Sequence, residues 1–232
     1  MKAPVTRLPK GQHVLSDFPR MGLPQYLAQS VSVPAEPSLR IGGEVARPCE
    51  FPVAELASVQ RRDRVSDFHC VFTWSRLGLR WGGWALRDVY EQLIAPRAQP
   101  SEDVRYLKFI GLDGFKASLL LDFALADDVL LADTLESEPL TLEHGAPLRV
   151  VAPAHYAYKS VKHLCAIELC TRYPPPFRGG GVVLVHRDGL VEREQRSQLL
   201  PGSVYRRLNA LARPAGIRAA RWLTRKRRMG GI

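Results

Sequence analysis

The run V-S-D-F-H-C-V-F-T-W, residues 65–74, sets the tightest limit on the architecture. β-Branched and aromatic side chains at this density suit a pleated, half-buried surface better than a helix, so the run reads as a strand ending near Cys70. V-R-Y-L-K-F-I, P-L-R-V-V-A-P and V-V-L-V-H read as further strands, the last closed by the turn R-D-G. L-R-I-G-G-E-V, from Leu39, predicts a strand, a glycine turn and a second strand, and P-V-A-E-L-A-S-V opens a short helix after Pro52. Leu86, Val89, Tyr90, Leu93 and Ile94 follow the spacing of an amphipathic helix, which Pro96 should stop. Strands outnumber helices, the two do not alternate regularly, and neither G-x-G-x-x-G nor a P-loop occurs. The fold class expected is therefore α+β, predominantly β, rather than a doubly wound sheet.

A chain of 232 residues suits one main domain with extensions. Residues 1–38 are proline-rich and aperiodic, which favours an extended segment laid over a surface; 39–172 hold the strand pattern; 173–232 form a C-terminal extension with a basic tail. No apolar run approaches the roughly 18–20 residues of a membrane-spanning helix, and the first ten residues lack a signal-like apolar stretch, so a cytoplasmic location is expected. The four cysteines, Cys49, Cys70, Cys165 and Cys170, form no C-x-x-C pair, which disfavours zinc and a disulfide framework, and no C-x-x-C-H is present for haem attachment.

The net charge of +10 points first to nucleic acid. Its distribution argues otherwise. Ten basic residues and no acidic ones follow Glu194, which leaves residues 1–194 formally neutral. The excess belongs to the tail, which reads as helical pieces interrupted at Pro214, lying on the surface or mobile.

Several polar residues sit in apolar surroundings. Cys70, among Phe68, Val71, Phe72 and Trp74, reads either as a small buried hydrophobe or as a metal-ligating thiolate. A nucleophilic role through the adjacent His69 is disfavoured because neighbours on a strand face opposite ways. Arg149 interrupts an apolar strand: it either points to solvent or needs an anion to offset its desolvation. His144-Gly145 reads as a turn. K-S-V-K, residues 159–162, either forms a solvated surface or aims a hydroxyl, backbone N–H groups and an ammonium at one phosphate.

Taken in order, F-H-C-V-x-x-W-S, G-L-D at 111–113, A-D-D-V-L-L-A-D, H-G-A-P-L-R-V-V-A-P and K-S-V-K-H-L closely resemble the molybdopterin-binding domain of the sulfite oxidase family, including its bacterial haem-free members. The resemblance covers about residues 39–172, with a weaker match at F-P-R-M-G-L-P. It implies that Cys70 supplies a thiolate to molybdenum. It further implies that His144 and Arg149 contact the cofactor, that Ser160, Val161 and Lys162 hold its terminal phosphate, that Asp113 bonds the pterin and that Arg20 closes over it. The activity implied is two-electron oxygen-atom transfer on a small oxo or sulfur compound, with electrons exchanged with a separate partner. Sulfite-oxidising relatives carry C-A-G-N-R-R at the cysteine, whereas C-V-F-T-W-S here puts Ser75 in place of the second arginine. Phe72 and Trp74 would then make a more apolar substrate pocket, with Lys159 retaining one cation. The alternative is a non-enzymatic binding protein whose tail grips nucleic acid, an acidic partner or an anionic membrane surface.

Overall fold

In the computed structural model, described over residues 8–20, 26, 31–174 and 185–230, the β-rich runs pair into two sheets. Sheet one joins β1 (His13–Val14), β4 (Arg61–Cys70), β5 (Trp74–Ala85), β8 (Leu130–Leu135), β9 (Glu138–Pro139) and β10 (Arg149–Val151). Sheet two has the order β3 (Cys49–Pro52), β2 (Ser38–Gly43), β11 (Leu164–Cys170), β6 (Tyr106–Gly111) and β7 (Lys116–Leu120), with β2 parallel to β11. Mixed sheets with few helices match the expected α+β, mostly β class.

Sheet one is buried on both faces, and strand alternation shows it. On β8, Leu131 joins the main core with Leu107, Phe109 and Ile167 of sheet two, while Leu130 and Ala132 join a second core with Phe68, Cys70, Trp74 and Trp81. On β10, Val150 faces the first core and Val151 the second. Without the segments before β2 and after β11, the second core would be a wet sheet face. Instead Leu15 and Phe18 pack on it from the N-terminal side, and Tyr205 and Ile217 from the C-terminal side.

The helical readings need two corrections. The helix begun at Leu86 does not stop at Pro96: an α-helical turn Leu86–Val89 passes through a π-helical stretch Tyr90–Ile94 into a second α-helical turn, Ala95–Ala98. The wider π turn moves the preceding carbonyls out of the proline ring's way, and Pro96 sits at the start of the new turn, where a missing N–H costs little. The basic tail is not broken at Pro214 either. Gly202–Gly230 is one helix of 29 residues with Pro214 inside it, held by tertiary contacts. Asn209, Ile217 and Ala220 are buried against the domain, and Arg221 makes a two-point ion pair with Asp17 (2.8 and 2.9 Å).

Between these, the expected short helix after Pro52 is a 3-10 helix, Val53–Ser58. The two glycines of L-R-I-G-G lie inside β2, and the strand after it begins at Cys49. The run V-V-L-V-H falls largely outside the described residues, while its turn is present, with Gly189 at φ +69°.

Close backbone approach makes Gly83 of β5 essential, because a Cβ there would run into the carbonyl of Leu131 on β8. Gly83→Ala is expected to destabilise the protein by about 1–3 kcal/mol, read as a lower urea midpoint at unchanged slope.

Candidate active site

Cys70 ends β4 and pairs with Trp74 of β5 across the three-residue loop 71–73. Thr73 turns the chain with φ 63° and donates its N–H to the Cys70 carbonyl at 3.1 Å. Segments distant in sequence fix this loop. Gln12 Nε2 donates to the Cys70 carbonyl (3.0 Å) and His13 N–H to the Thr73 carbonyl (3.0 Å). Arg196, wholly buried, donates to the carbonyls of Val71 (3.0 Å) and Lys10 (3.3 Å) with its guanidinium 4.8 Å from the Tyr156 ring centre. Arg213 of the C-terminal helix reaches Thr73 Oγ1 at 3.1 Å.

The Cys70 thiol is pushed up to about 12 by burial, which outweighs the opposing pull of a Phe72 backbone hydrogen bond and of the Arg196 and Lys162 charges. Such a thiol is inert as a free nucleophile, and metal coordination is the chemistry that would keep it deprotonated. His69, its neighbour, faces the other way and hydrogen-bonds Ser75 Oγ at 2.8 Å. That orientation, not its pKa, which burial lowers, keeps it from serving Cys70 as a general base.

Arg149 has no exposed surface. Period-two alternation places it on the same side of β10 as Val151, hence in the second core, where its guanidinium lies 4.9 Å from the Trp81 ring centre and 5.4 Å from that of Phe68. Its hydrogen bonds go to carbonyls: His144 (2.8 Å), Ser160 (3.3 Å) and Val150 (3.4 Å). Burial lowers its pKa to about 9. Lys162 is half-buried beside it, donates to the Glu143 carbonyl (2.6 Å), and is lowered to about 7 by burial first and by repulsion from Arg149 second. Among the described residues neither cation has a carboxylate within ion-pair distance.

Three loops meet at this pair. Gly145, at φ +107°, packs so closely that a Cβ would come within 3.0 Å of Lys162 Cβ and 3.2 Å of Arg149 Cβ. His163 donates its N–H to Gly145 (3.1 Å), its Nδ1 is bonded to the Ala146 carbonyl (2.7 Å), and its own carbonyl accepts the Leu112 N–H (2.9 Å). That last bond brings in the 111–114 turn, where Asp113 Oδ1 caps the Phe115 N–H at 3.0 Å. Phe18 covers the assembly, stacked on His144 at 4.8 Å and edge-on to Phe68 at 4.9 Å.

Cys70, His144, Arg149 and Lys162 thus belong to one cluster, with Asp113 on a loop laced to it. Ser160 lies alongside, its Oγ accepting the Ala152 N–H at 3.2 Å, and Val161 is buried in the main core. Arg20 is half-buried on the segment just after Phe18. Phe72 is half-buried at the loop. Trp74 is 1% exposed, packed in the aromatic cluster, and does not face solvent. The Lys159 ammonium is held by the carbonyls of Ser118 (2.6 Å) and Arg187, which turns it to partners other than Cys70. Sequence reasoning did not find Gln12, Phe68, Trp81 or Arg196. Only the spacing of V-S-D-F-H-C hinted at Phe68, two residues before Cys70 and therefore on its face.

The site fits an anionic, polar, sulfur-rich prosthetic group on structural grounds. Among the described residues the two adjacent cations have no carboxylate within ion-pair distance, and a phosphate dianion would supply the counter-charge. The indole N–H groups of Trp74 and Trp81 are buried in the same cluster and have no acceptor among the described residues. The one thiol on that face has a reason to be deprotonated only next to a metal.

Comparison with known proteins agrees. Residues 28–177, more than half of the chain, match the family described as oxidoreductase molybdopterin binding domain, so the chain belongs to that family and is a molybdopterin-dependent oxidoreductase of the sulfite oxidase type. Its cofactor is molybdenum–molybdopterin. The uncharacterized oxidoreductase YuiH of Bacillus subtilis (strain 168) is 33% identical over 174 residues, covering 74% of this chain and 83% of that protein. The protein-methionine-sulfoxide reductase catalytic subunit MsrP of Campylobacter jejuni is 28% identical over 151 residues, 58% of this chain and 49% of that protein. The chain thus spans about half the length of that relative. The structure of the sulfane dehydrogenase SoxCD from Paracoccus pantotrophus shares the fold, with a TM-score of 0.51 at 20% identity over 64% of this chain and 46% of that one.

The uncompensated cations make two measurable differences. In protein freed of cofactor, Arg149→Met removes a buried charge and keeps the volume, so its Tm is expected to rise, while the same variant retains little molybdopterin when expressed with it. Lys162 has a folded pKa of about 7 against an ordinary 10.5, so between those values the unfolded chain holds a proton that the folded chain has released. Stability of cofactor-free protein should therefore rise with pH across that window, to a degree reduced in Lys162→Met; Lys159, also lowered to about 7, adds in the same sense.

Proposed function

We propose that this enzyme moves one oxygen atom and two electrons between water and a small oxo or sulfur compound, with a separate electron-transfer partner restoring the cofactor. The observation that carries the reading is Cys70 and Arg149 in one aromatic core with Lys162 next to Arg149, neither cation having a carboxylate within ion-pair distance among the described residues. The bound cofactor supplies the oxygen-transfer and redox chemistry. Cys70 would ligate the metal. Arg149 and Lys162 would hold the anionic end of the cofactor, with Ser160 and the backbone of Val161 beside them. His144, stacked under Phe18, and Asp113 would orient the pterin, and Arg20 would close over it. Gln12, Arg196 and Arg213 fix the loop on which the cysteine rides, so its sulfur is aimed before the metal arrives.

Sulfoxides are the first substrates to test, since the MsrP relatives are named as methionine-sulfoxide reductase catalytic subunits. Their designation as catalytic subunits also supports an external electron source. Ser75 in place of a substrate-facing arginine, together with a Lys159 ammonium tied to carbonyls, weighs against an anionic substrate such as sulfite. A cytoplasmic site of action is part of the reading, to be checked by cell fractionation.

Protein made in a molybdopterin-competent host should carry about one molybdenum per chain, as for a single thiolate ligand set. Cys70→Ser is expected to fold, to lose the thiolate-to-metal absorption and to lose sulfoxide reduction with an artificial donor. Folded wild-type protein without metal under those conditions would overturn the reading.

A further inference from the structure

The C-terminal helix, Gly202–Gly230, has two unlike faces. The inner one, with Asn209, Ile217 and Ala220, is buried against the domain. The outer one displays Val204, Leu208, Leu211 and Trp222, which are 41%, 53%, 80% and 60% exposed. At about 100° per residue these four lie within about 40° of one line along the helix, so they form a continuous apolar stripe. Exposed Arg207, Arg218 and Arg225 follow on one side of it, about 40–60° around the helix. The helix carries nine basic residues and no acidic one. On the arginine side a groove of about 310 Å³ runs beneath it, lined by Leu15, Pro214, Ile217, Arg213, Arg218 and Arg221.

A monomeric surface seldom gathers large apolar side chains into one stripe without a use for it. A second copy of the chain is a poor occupant, because two such faces would set arginine rows against each other with no acid to offset them. An acidic protein would meet arginines on only one flank of the stripe. A lipid surface takes apolar side chains and guanidinium groups at two depths, the arrangement found here.

We propose that this face lies on an anionic phospholipid surface, with Leu208, Leu211 and Trp222 at the acyl boundary and Arg207, Arg218 and Arg225 among the lipid phosphates. Arg213 and Arg221, tied to Thr73 and Asp17, keep the helix fastened to the domain. The helix that braces the Cys70 loop from its inner face thereby sets the enzyme on the membrane with its outer one.

The chain provides its own probe. Trp74, Trp81 and Trp84 are buried, so among the four tryptophans Trp222 alone should report lipid contact. Full-length, cofactor-loaded protein is floated with phosphatidylcholine vesicles with and without phosphatidylglycerol, at low and high salt, while tryptophan emission is recorded. Expected are flotation and a blue shift with the phosphatidylglycerol vesicles alone, weakened by salt. Leu211→Ser with Trp222→Ser should weaken flotation at least tenfold. Arg207→Ser with Arg218→Ser and Arg225→Ser should remove the salt-sensitive part. These variants touch neither the cysteine loop nor the cation pair, so their molybdenum content should match wild type, which separates this test from that of the oxidoreductase reading. Absent or lipid-indifferent flotation, unchanged binding by the variants, or a dimer or acidic-protein complex closed through this face would overturn the proposal.

Discussion

The buried guanidinium of Arg149 is the constraint around which the rest of the site is arranged. The edge strand β10 carries it into a space walled by Trp81 and Phe68, where carbonyl oxygens accept from its N–H groups and, among the described residues, no carboxylate lies within ion-pair distance. Lys162 adds a second positive charge next to it. Burial and mutual repulsion both disfavour the charged forms, a cost that an apolar pair would not incur and that an anionic ligand removes. On the reading proposed above, binding of the anionic end of molybdopterin would offset that cost.

That arrangement needs walls, and the two ends of the chain provide them. The face of sheet one that holds Arg149 and Cys70 would be wet without Leu15 and Phe18 from one end and Tyr205 and Ile217 from the other. The same end segments supply polar contacts. Gln12, Arg196 and Arg213 bond loop carbonyls or the Thr73 hydroxyl beside Cys70, so the position of the sulfur depends on segments more than fifty residues away. Arg196 and the C-terminal helix lie beyond residues 28–177, the span that matches the family. The positive charge of the tail is divided: Arg207, Arg218 and Arg225 are exposed on the outer face of the helix, while Arg196 and Arg213 turn inward to the Cys70 loop.

Much of the fold was legible because it rests on local pattern. The β-branched run ending at Cys70, the alternation around Arg149 and the mixed-class balance of strands and helices all follow from side-chain period and shape. The helix ends were not legible at Pro96 or Pro214, where π-helical widening and tertiary packing overrode a local breaker. For Arg149 the sequence left solvent and core open, since period two says which residues share a face but not whether that face is covered.

By itself, then, the sequence determined the order of the motifs, and through it the family and the cofactor, because a family's motifs are carried by residue type and spacing. The tertiary structure decided which charges are buried, which of them stand together, and which distant carbonyl contacts hold the cysteine loop. Those are properties of long-range closure: desolvation depends on what covers a group, and the covering segments lie at the far ends of the chain.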